Sequence, residues 1–290
     1  MARQVTIKLP GWLRTVLWFA QRKPLGTCGA VIVLIMVLVA IFANQIAPYD
    51  PLDTNYQLML QPPNRDFWLG TDAFGRDILS RIIYGSRTAL LVGFSTSFFA
   101  ATLGAIIGVV SAYYGGKTDL FIQRIMDILL SFPLIVMALA VVAVLGTGTI
   151  NVIIAIAVPM LPRVTRVVRA SALAVRETLY VEAAQALGVT PSRIIFRHML
   201  PNVMAPYLIM LTAFLGQAIL LEASLSFVGL GVTEPTPAWG LMLRGAAVEF
   251  AERAPWMGIF PGLAISLTVF GFNVLGDSLR DVLDPRLRMQ

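Results

Sequence analysis

The chain has 290 residues, of which 57% are hydrophobic and only 13% are charged, and its mean hydropathy is +0.78. Because soluble domains carry about 25% charged residues, this composition excludes an ordinary soluble protein and predicts an integral membrane protein. The net charge of +6 does not indicate a nucleic-acid partner, since the basic residues cluster at the ends of apolar segments, where the cytoplasmic side of a membrane retains them.

The amino-terminal part predicts a membrane-surface segment, one transmembrane helix and an exposed excursion. Residues 1–25 carry five basic side chains and no acid, and part of this cytoplasmic segment is predicted to lie along the membrane surface. Residues 26–46 are free of charge over 21 positions, which is long enough for one span. This span contains Cys28, the only cysteine, so the chain cannot form an intrachain disulfide. Residues 47–86, with four prolines and five aspartates, are predicted to lie outside.

The core region, 87–277, is predicted to hold the remaining spans. The second span covers 88–116 and contains Gly104 and Gly108, whose spacing permits close helix approach in lipid but is at least as often a chance match. A short polar turn is predicted at 113–124, where the chain passes from the second span to the third.

A long apolar stretch follows, over residues 128–162. It has no charge over 35 positions, which is too long for one span. The sequence Gly146-Thr147-Gly148-Thr149 is therefore predicted to divide it into the third and fourth helices. A fifth span is predicted at 203–221, followed by a second excursion at 222–256 with a short interfacial helix at 239–250. A sixth span is predicted at 254–276 and a cytoplasmic tail at 278–290.

The distribution of lysine and arginine predicts that both termini are cytoplasmic. With the amino terminus inside, 16 of these residues fall on inner segments and 6 on outer ones, which agrees with the positive-inside rule. The predicted fold class is therefore an all-α membrane protein with six transmembrane helices. The polar segment 177–201 is predicted to lie in the cytoplasm.

The segment 177–201 begins with a predicted short helix. Leu179, Ala183 and Leu187 recur at i, i+4 and i+8, the spacing of one helix face. Gly188 follows at once, and glycine is the usual residue just past a helix end.

A second short helix is predicted after Gly188. Thr190 is placed as its N-cap and Pro191 at its first helical position, and the helix is predicted to run to about Leu200, before Pro201. Two short helices that meet at a glycine form a compact element against which a partner can dock. The alternative interpretation is an ordinary amphipathic cytoplasmic loop.

Several of these residues match a known sequence pattern. Glu182-Ala183-Ala184, followed by Gly188 and later by Leu200-Pro201, resembles the EAA loop of ABC-importer permease subunits. In that family the loop is a coupling helix pair that sits in a cleft of the ATP-binding subunit. The family pattern has an aliphatic residue where this chain has His198, and the ending at 197–202 resembles the dipeptide, oligopeptide and nickel branch. The resemblance implies that the residues coupled to the ATPase are Glu182, Ala183, Ala184, Gly188, His198, Leu200 and Pro201.

The resemblance extends over roughly residues 65–288 and is specific to the C-type permease of peptide importers. It implies a type I importer transmembrane domain over 87–277 with an extra first helix, in the bacterial cytoplasmic membrane. The implied partners are a B-type permease, two ATP-binding subunits, an extracytoplasmic solute-binding protein, a peptide substrate and membrane lipid. The further segments that carry the resemblance are 69–87, 221–231, 237–240, 261–262 and 272–286.

The sequence predicts no catalytic centre in this chain. It lacks the phosphate-binding pattern G-x-x-x-x-G-K-[ST], so the chain is not expected to hydrolyse ATP, and ATP and Mg²⁺ are assigned to the partner subunits. His198 is the only histidine and cannot build a metal site alone. No paired carboxylates fall in the middle of a predicted span, which argues against a proton-coupled carrier.

Three acidic residues, Asp127, Glu222 and Asp277, fall at predicted span ends. They are either solvated or paired end charges, or functional ones, in which case Glu222 braces an extracytoplasmic gate and Asp277 a cytoplasmic gate. The family implies a pathway lined by small and polar residues, but the candidates could equally make interhelical hydrogen bonds. These candidates are Ser95, Thr96, Ser97, Thr102, Asn151, Thr212 and Gln217.

Three functions are open at the level of the sequence. An ABC-importer permease for dipeptides or oligopeptides is favoured. The same architecture could import nickel chelates or another small solute, which a binding assay on the extracytoplasmic protein would distinguish. The third function is an ATP-independent secondary carrier, which would need neither the 177–201 element nor an ATPase partner.

Overall fold

The computed structural model describes residues 19–250 and 252–283. Most of the predicted surface segment 1–25 and the end of the predicted tail lie outside these residues. Within them every extended regular element is helical, and the only β-type pairing is an isolated bridge between Thr71 and Asp77. The all-α prediction is confirmed. The main helices are α1 (Pro24–Ile41), α2 (Ile78–Tyr114), α3 (Gly116–Leu130), α4 (Leu134–Leu145), α5 (Thr149–Arg176), α6 (Leu179–Ala186), α7 (Met204–Val228), α8 (Trp239–Glu249) and α9 (Trp256–Leu283).

Five helical stretches in the described residues are long and apolar enough to cross a membrane. They are α1, α2, α5, α9 and the stretch that ends with α7. Helices α3 and α4 pass the same test only as a pair, with a bend of 94° between them. Alone, α4 has 12 residues and a length of about 18 Å, which is short of the ~30 Å hydrocarbon core. The six-span prediction is confirmed when this bent pair counts as one span.

Helices α2 and α5 form the centre of the bundle, and small residues set their separation. A Cβ on Gly104 would lie 2.7 Å from the Val164 Cβ, and a Cβ on Gly108 would lie 2.7 Å from the Thr165 carbonyl oxygen. Real side chains essentially never approach so closely, so only glycine permits this contact. The four-residue glycine spacing, which is weak evidence in the sequence, therefore marks a true helix contact.

Helix α2 begins at Ile78, earlier than the predicted start at residue 88. Its first part includes arginines whose guanidinium groups are bound by the protein. Arg81 Nη1 donates to the Pro51 carbonyl at 3.0 Å, and Arg87 Nε donates to the Ala40 carbonyl at 2.5 Å. The Arg81 guanidinium also lies 3.8 Å from the Asp72 carboxylate and 3.6 Å from the Glu234 carboxylate. Because such charges meet partners within the fold, a helix can contain residues that a charge-free criterion assigns to a loop.

The predicted polar turn over 113–124 is wrong. The break between the helices is the single residue Gly115, with φ of +61°, and helix α3 begins at Gly116, whose φ is +50°. Two polar residues of this stretch, Asp119 and Gln123, bond to α2 or α5, so they belong to a packed helix and not to a loop.

The two excursions pack against each other at one end of the bundle. Arg76 Nε donates to Asp72 at 2.6 Å, and Arg76 Nη1 donates to Glu234 at 3.1 Å. The Trp239 indole donates to the Ile82 carbonyl at 3.0 Å. The predicted helix at 239–250 is present as α8, but Trp239 is only 4% exposed, so this end of the helix lies in the bundle instead of at a lipid interface.

Helix α1 packs along α9 within the same chain. A Cβ on Gly29 would lie 2.7 Å from the Gly271 carbonyl oxygen, so the two backbones are close there. Just before α1, the Lys23 ammonium pairs with Asp281 at 2.5 Å. The extra first helix is therefore joined to the last one at the end of the bundle opposite to the excursions.

Candidate functional site

Helix α6 ends in a hydrogen-bonded turn built on Gly188. The Val189 N–H donates to the Ala184 carbonyl at 3.1 Å, and the Gly188 N–H donates to the Gln185 carbonyl at 2.9 Å, which is the pairing of a Schellman cap. Gly188 has φ of +72°, a conformation that is costly for residues with a Cβ. The predicted helix stop at Gly188 is confirmed.

The second helical part begins at Pro191, as predicted, but does not end where predicted. Thr190 occupies the N-cap position, although its side chain makes no capping hydrogen bond. The chain continues through a π-helical turn, Ile194–Met199, and a 3₁₀ turn, Leu200–Val203, directly into α7. Pro201 lies in the first turn of the 3₁₀ helix, where its missing N–H is tolerated. We call residues 177–203 the elbow.

The inner face of the elbow is packed into the main hydrophobic core. Val181 and Met199 are fully buried, and Ala184 is 8% exposed. The Tyr180 hydroxyl donates to the His198 carbonyl at 3.4 Å, which links the two halves of the elbow. Of the two alanines that the resemblance implicates, Ala184 thus faces the bundle, whereas Ala183 is exposed.

The outer face of the elbow carries an exposed apolar stripe. Leu179 and Leu187 are each 83% exposed, and Ala183 lies between them on the same face of the helix. Phe196, on the second half, is 57% exposed. Glu182 is exposed beside the stripe. Large apolar side chains that share an exposed face mark a contact surface. The sequence shows this repeat, but the repeat alone does not tell which way the face points.

The other predicted coupling residues lie at the end of the elbow near α7. His198 is half-buried, and its ring centroid lies 6.4 Å from that of Tyr180. Leu200 is half-buried and Pro201 is exposed. The structure therefore brings all seven predicted residues into one element, with different residues facing the bundle and the solvent.

The three candidate end charges lie in separate places. Asp127, near the end of α3, is paired with Arg166 of α5. Glu222 does not lie at a span end, because it sits inside α7, is 2% exposed and accepts a hydrogen bond from the Ser226 hydroxyl at 2.7 Å. Asp277 is exposed in α9. Within the described residues, no hydrogen bond or ion pair joins any of them to the elbow.

The candidate pathway residues have mixed environments. Thr96 and Ser97 are fully buried, and neither hydroxyl has a hydrogen-bond partner in the structure. The Thr212 hydroxyl bonds to carbonyls of its own helix, α7. The hydroxyls of Thr102 in α2 and Tyr207 in α7 lie 3.1 Å apart, so Thr102 makes an interhelical hydrogen bond.

The remaining pathway candidates are Ser95, Gln217 and Asn151. Ser95 and Gln217 are half-buried. The Asn151 amide closes the turn before α5 by donating to the Leu145 carbonyl at 2.8 Å. Within residues 19–250 and 252–283, no three His, Cys, Asp or Glu side chains group together as a metal site would require.

Comparison with known proteins identifies the family. Residues 102–289 match the family described as binding-protein-dependent transport system inner membrane component, and residues 13–63 match the N-terminal transmembrane domain of oligopeptide transport permease C. The chain belongs to this family of ABC-importer permeases. It is thus a multi-span protein of the bacterial inner membrane, and its matched regions are those of a C-type permease.

Relatives and a solved structure agree with this assignment. The chain is 43% identical to a dipeptide transport system permease protein of Alkalihalophilus pseudofirmus, over 92% of this chain and 88% of that protein. It is 41% identical to a glutathione transport system permease protein of Escherichia coli, with the same coverage, and 44% identical to a putative peptide transport system permease protein of Brucella abortus, over 90% and 88%.

The fold matches that of the inward-facing MetNI methionine ABC transporter. The TM-score is 0.57 at 20% sequence identity, over 71% of this chain and 98% of that chain. At this identity the likeness concerns the fold alone, which is the type I importer transmembrane domain. Members of this family work with another permease, ATPase subunits and a binding protein.

Proposed function

We propose that the chain is one of two permease subunits in an ATP-driven importer of dipeptides or oligopeptides. The observation that carries the substrate class is the set of relatives, which are named for dipeptide, peptide and glutathione transport. Glutathione is itself a tripeptide, so all three names describe peptides. A B-type permease, two ATP-binding subunits and an extracytoplasmic solute-binding protein complete the proposed machine.

In this proposal the elbow receives the work of ATP hydrolysis, while ATP and Mg²⁺ bind to the partner subunits. Two features of the elbow support this role. Its inner face is buried in the core, so it moves only with the helices that hold it. Its outer stripe of Leu179, Ala183 and Leu187 has no covering residues in the described chain, and an apolar stripe of this kind suits a groove on an ATPase.

The proposed partner permease is supported by the bent pair of helices. Helix α4 buries only Ala138 and Val142 in this chain, whereas Val144 on its other side is 86% exposed. A second permease would cover this face and enclose a pathway between the two subunits.

Purification of the chain from its native membrane tests the proposal directly. We expect ATPase subunits and a second permease to co-purify, and the reconstituted complex to take up dipeptides or oligopeptides only with ATP and the binding protein. Uptake that needs no ATPase would identify a secondary carrier and contradict the proposal. ATP-dependent uptake of nickel chelates without peptides would contradict its substrate part.

Removal of the apolar stripe should release the ATPase. In the Leu179→Ser variant and the Leu187→Ser variant, we expect about 30-fold weaker ATPase binding each, because a buried apolar anchor contributes about 2 kcal/mol to an interface. Titration of purified ATPase onto reconstituted permease measures this effect.

Leu25→Ser is the matched control, since Leu25 is 69% exposed but lies at the start of α1, outside the elbow. Its ATPase affinity should equal that of the wild type. Wild-type affinity in both elbow variants would contradict docking through the stripe.

A further inference from the structure

Helix α3 is held to its neighbours by a stripe of polar residues. Asp119, Gln123 and Asp127 recur at i, i+4 and i+8 and so share one face. Asp119 forms a two-point ion pair with Arg169 of α5, in which Arg169 Nε donates to Asp119 Oδ1 at 2.6 Å and Nη2 donates to Oδ2. Asp127 pairs with Arg166, one turn earlier on α5.

The Asp119 carboxylate also joins α3 to α2. The Ser111 hydroxyl of α2 donates to Asp119 Oδ1 at 2.5 Å, and Gln123 Nε2 donates to the Ser111 hydroxyl at 3.0 Å. Ser111 is fully buried. Three helices therefore meet at one carboxylate, which is 18% exposed, while its partner Arg169 is 28% exposed.

Apolar packing contributes little to the position of α3. Met126 is the only buried residue among its 15 positions, whereas Leu120 and Phe121 on the opposite face are 65% and 68% exposed. Since only one apolar side chain of α3 is buried, the polar contacts do most to fix where α3 lies. A two-point guanidinium–carboxylate pair also fixes orientation, because both hydrogen bonds must keep their geometry.

This cluster lies next to the start of the elbow. Arg176, the last residue of α5, donates to the Ala112 carbonyl at 3.1 Å, and its Nη1 would lie 3.0 Å from a Cβ on Gly115. The elbow begins at the next residue. Any displacement of the elbow that moves the end of α5 therefore acts on the turn between α2 and α3 and on the Asp119–Arg169 pair.

We propose that Asp119 and Arg169 are positioning residues that make α3 follow α5, so that motion of the elbow reaches the bent pair α3 and α4. This inference rests on the proposed function, in which an ATPase moves the elbow. The bend of 94° between α3 and α4 converts a shift of α3 into a tilt of α4, whose exposed face would border the pathway. The ion pair thus transmits motion and takes no part in chemistry or substrate binding.

The test is an Asp119→Asn variant in the complete reconstituted complex. Asparagine keeps the shape of the side chain and can still accept from Ser111, but it lacks the charge that holds Arg169. We expect the ATPase subunits to co-purify and to hydrolyse ATP as in the wild type, while peptide transported per ATP hydrolysed falls about tenfold, a typical coupling between distant sites. The charge-swapped double variant Asp119→Arg/Arg169→Asp should recover most of this ratio.

Asp281→Asn is the matched control, because it breaks another ion pair at the same end of the bundle, with Lys23, that does not involve α3 or the elbow. It should leave the transport ratio unchanged. An unchanged ratio in Asp119→Asn, or a charge swap that restores nothing, would overturn the proposal.

A distance measurement separates this inference from the proposed function. Thr118 of α3 and Gln185 of α6, both exposed, are each replaced with cysteine to carry a spin label, after Cys28→Ser removes the native thiol. In the wild-type complex, the distance between the labels should be the same without nucleotide and with ATP bound. In Asp119→Asn, the distribution of this distance should broaden. If the wild-type permease binds no ATPase, the proposed function fails. The positioning role is overturned separately, in the permease alone, if the distribution of label distances is as narrow in Asp119→Asn as in the wild type.

Discussion

Replacing Gly188 with proline is expected to abolish ATP-driven uptake while the permease still inserts into the membrane. Proline holds φ near −65°, but Gly188 has φ of +72°. Proline also lacks the N–H that donates to the Gln185 carbonyl at 2.9 Å. Together these losses are expected to cost about 3 kcal/mol or more, which reduces the population of the native bend about a hundredfold. Uptake by reconstituted complex, normalised to permease amount, measures the effect.

Two milder substitutions of Gly188 separate the cost of the left-handed backbone conformation from the loss of the N–H group. No atom lies within 4 Å of a Cβ built on Gly188, so Gly188→Ala suffers only the backbone penalty, about 1–2 kcal/mol. Gly188→Asn should be closer to the wild type, because asparagine visits the left-handed region more readily. The expected order of uptake is glycine, asparagine, alanine, proline. Full uptake by the proline variant would show that the bend is not needed.

Replacing Gly108 with leucine should destabilise the bundle itself, whether or not any partner is present. A Cβ at this position would lie 2.7 Å from the Thr165 carbonyl oxygen and 3.0 Å from the Arg169 nitrogen. Both are backbone atoms, so neither can move aside as a flexible side chain would. We expect a loss of about 3 kcal/mol and a fall in Tm of about 6–12 °C, measured by thermal unfolding of the detergent-solubilised permease.

The control for this prediction is Gly245→Leu in α8, where no atom lies within 4 Å of the added Cβ. Its Tm should stay near that of the wild type, since the new side chain meets open space. Equal Tm values for Gly108→Leu and the wild type would mean that α2 and α5 are not in close contact in the folded protein.

Much of the fold could be predicted from where charges are absent. Uncharged stretches located the spans, and Gly146 and Gly148 separated α4 from α5 as expected, with φ of +85° and +124°. The early start of α2, which the sequence missed, has a physical cause. Arg81 and Arg87 lie inside a helix because backbone carbonyls bind their guanidinium groups, and a sequence does not reveal which charges find partners within the fold.

The elbow was predictable in outline but not in orientation. Gly188 and Pro191 mark a helix end and a helix start by local backbone chemistry, so the sequence is sufficient for them. Which face meets solvent depends on how the elbow packs. The structure turns Val181 and Ala184 inward and leaves Leu179 and Leu187 outside, a choice that the alternation of small and large residues does not determine.

The sequence by itself determined the membrane class, the number of spans and the bend at Gly188, because hydropathy and left-handed glycine geometry are local properties. Only the tertiary structure decided that Asp119 meets Arg169, 50 residues away along the chain. Their meeting requires α2 and α5 to approach at Gly104 and Gly108, so it depends on helix packing. A bond that depends on packing between distant helices leaves no trace in local composition.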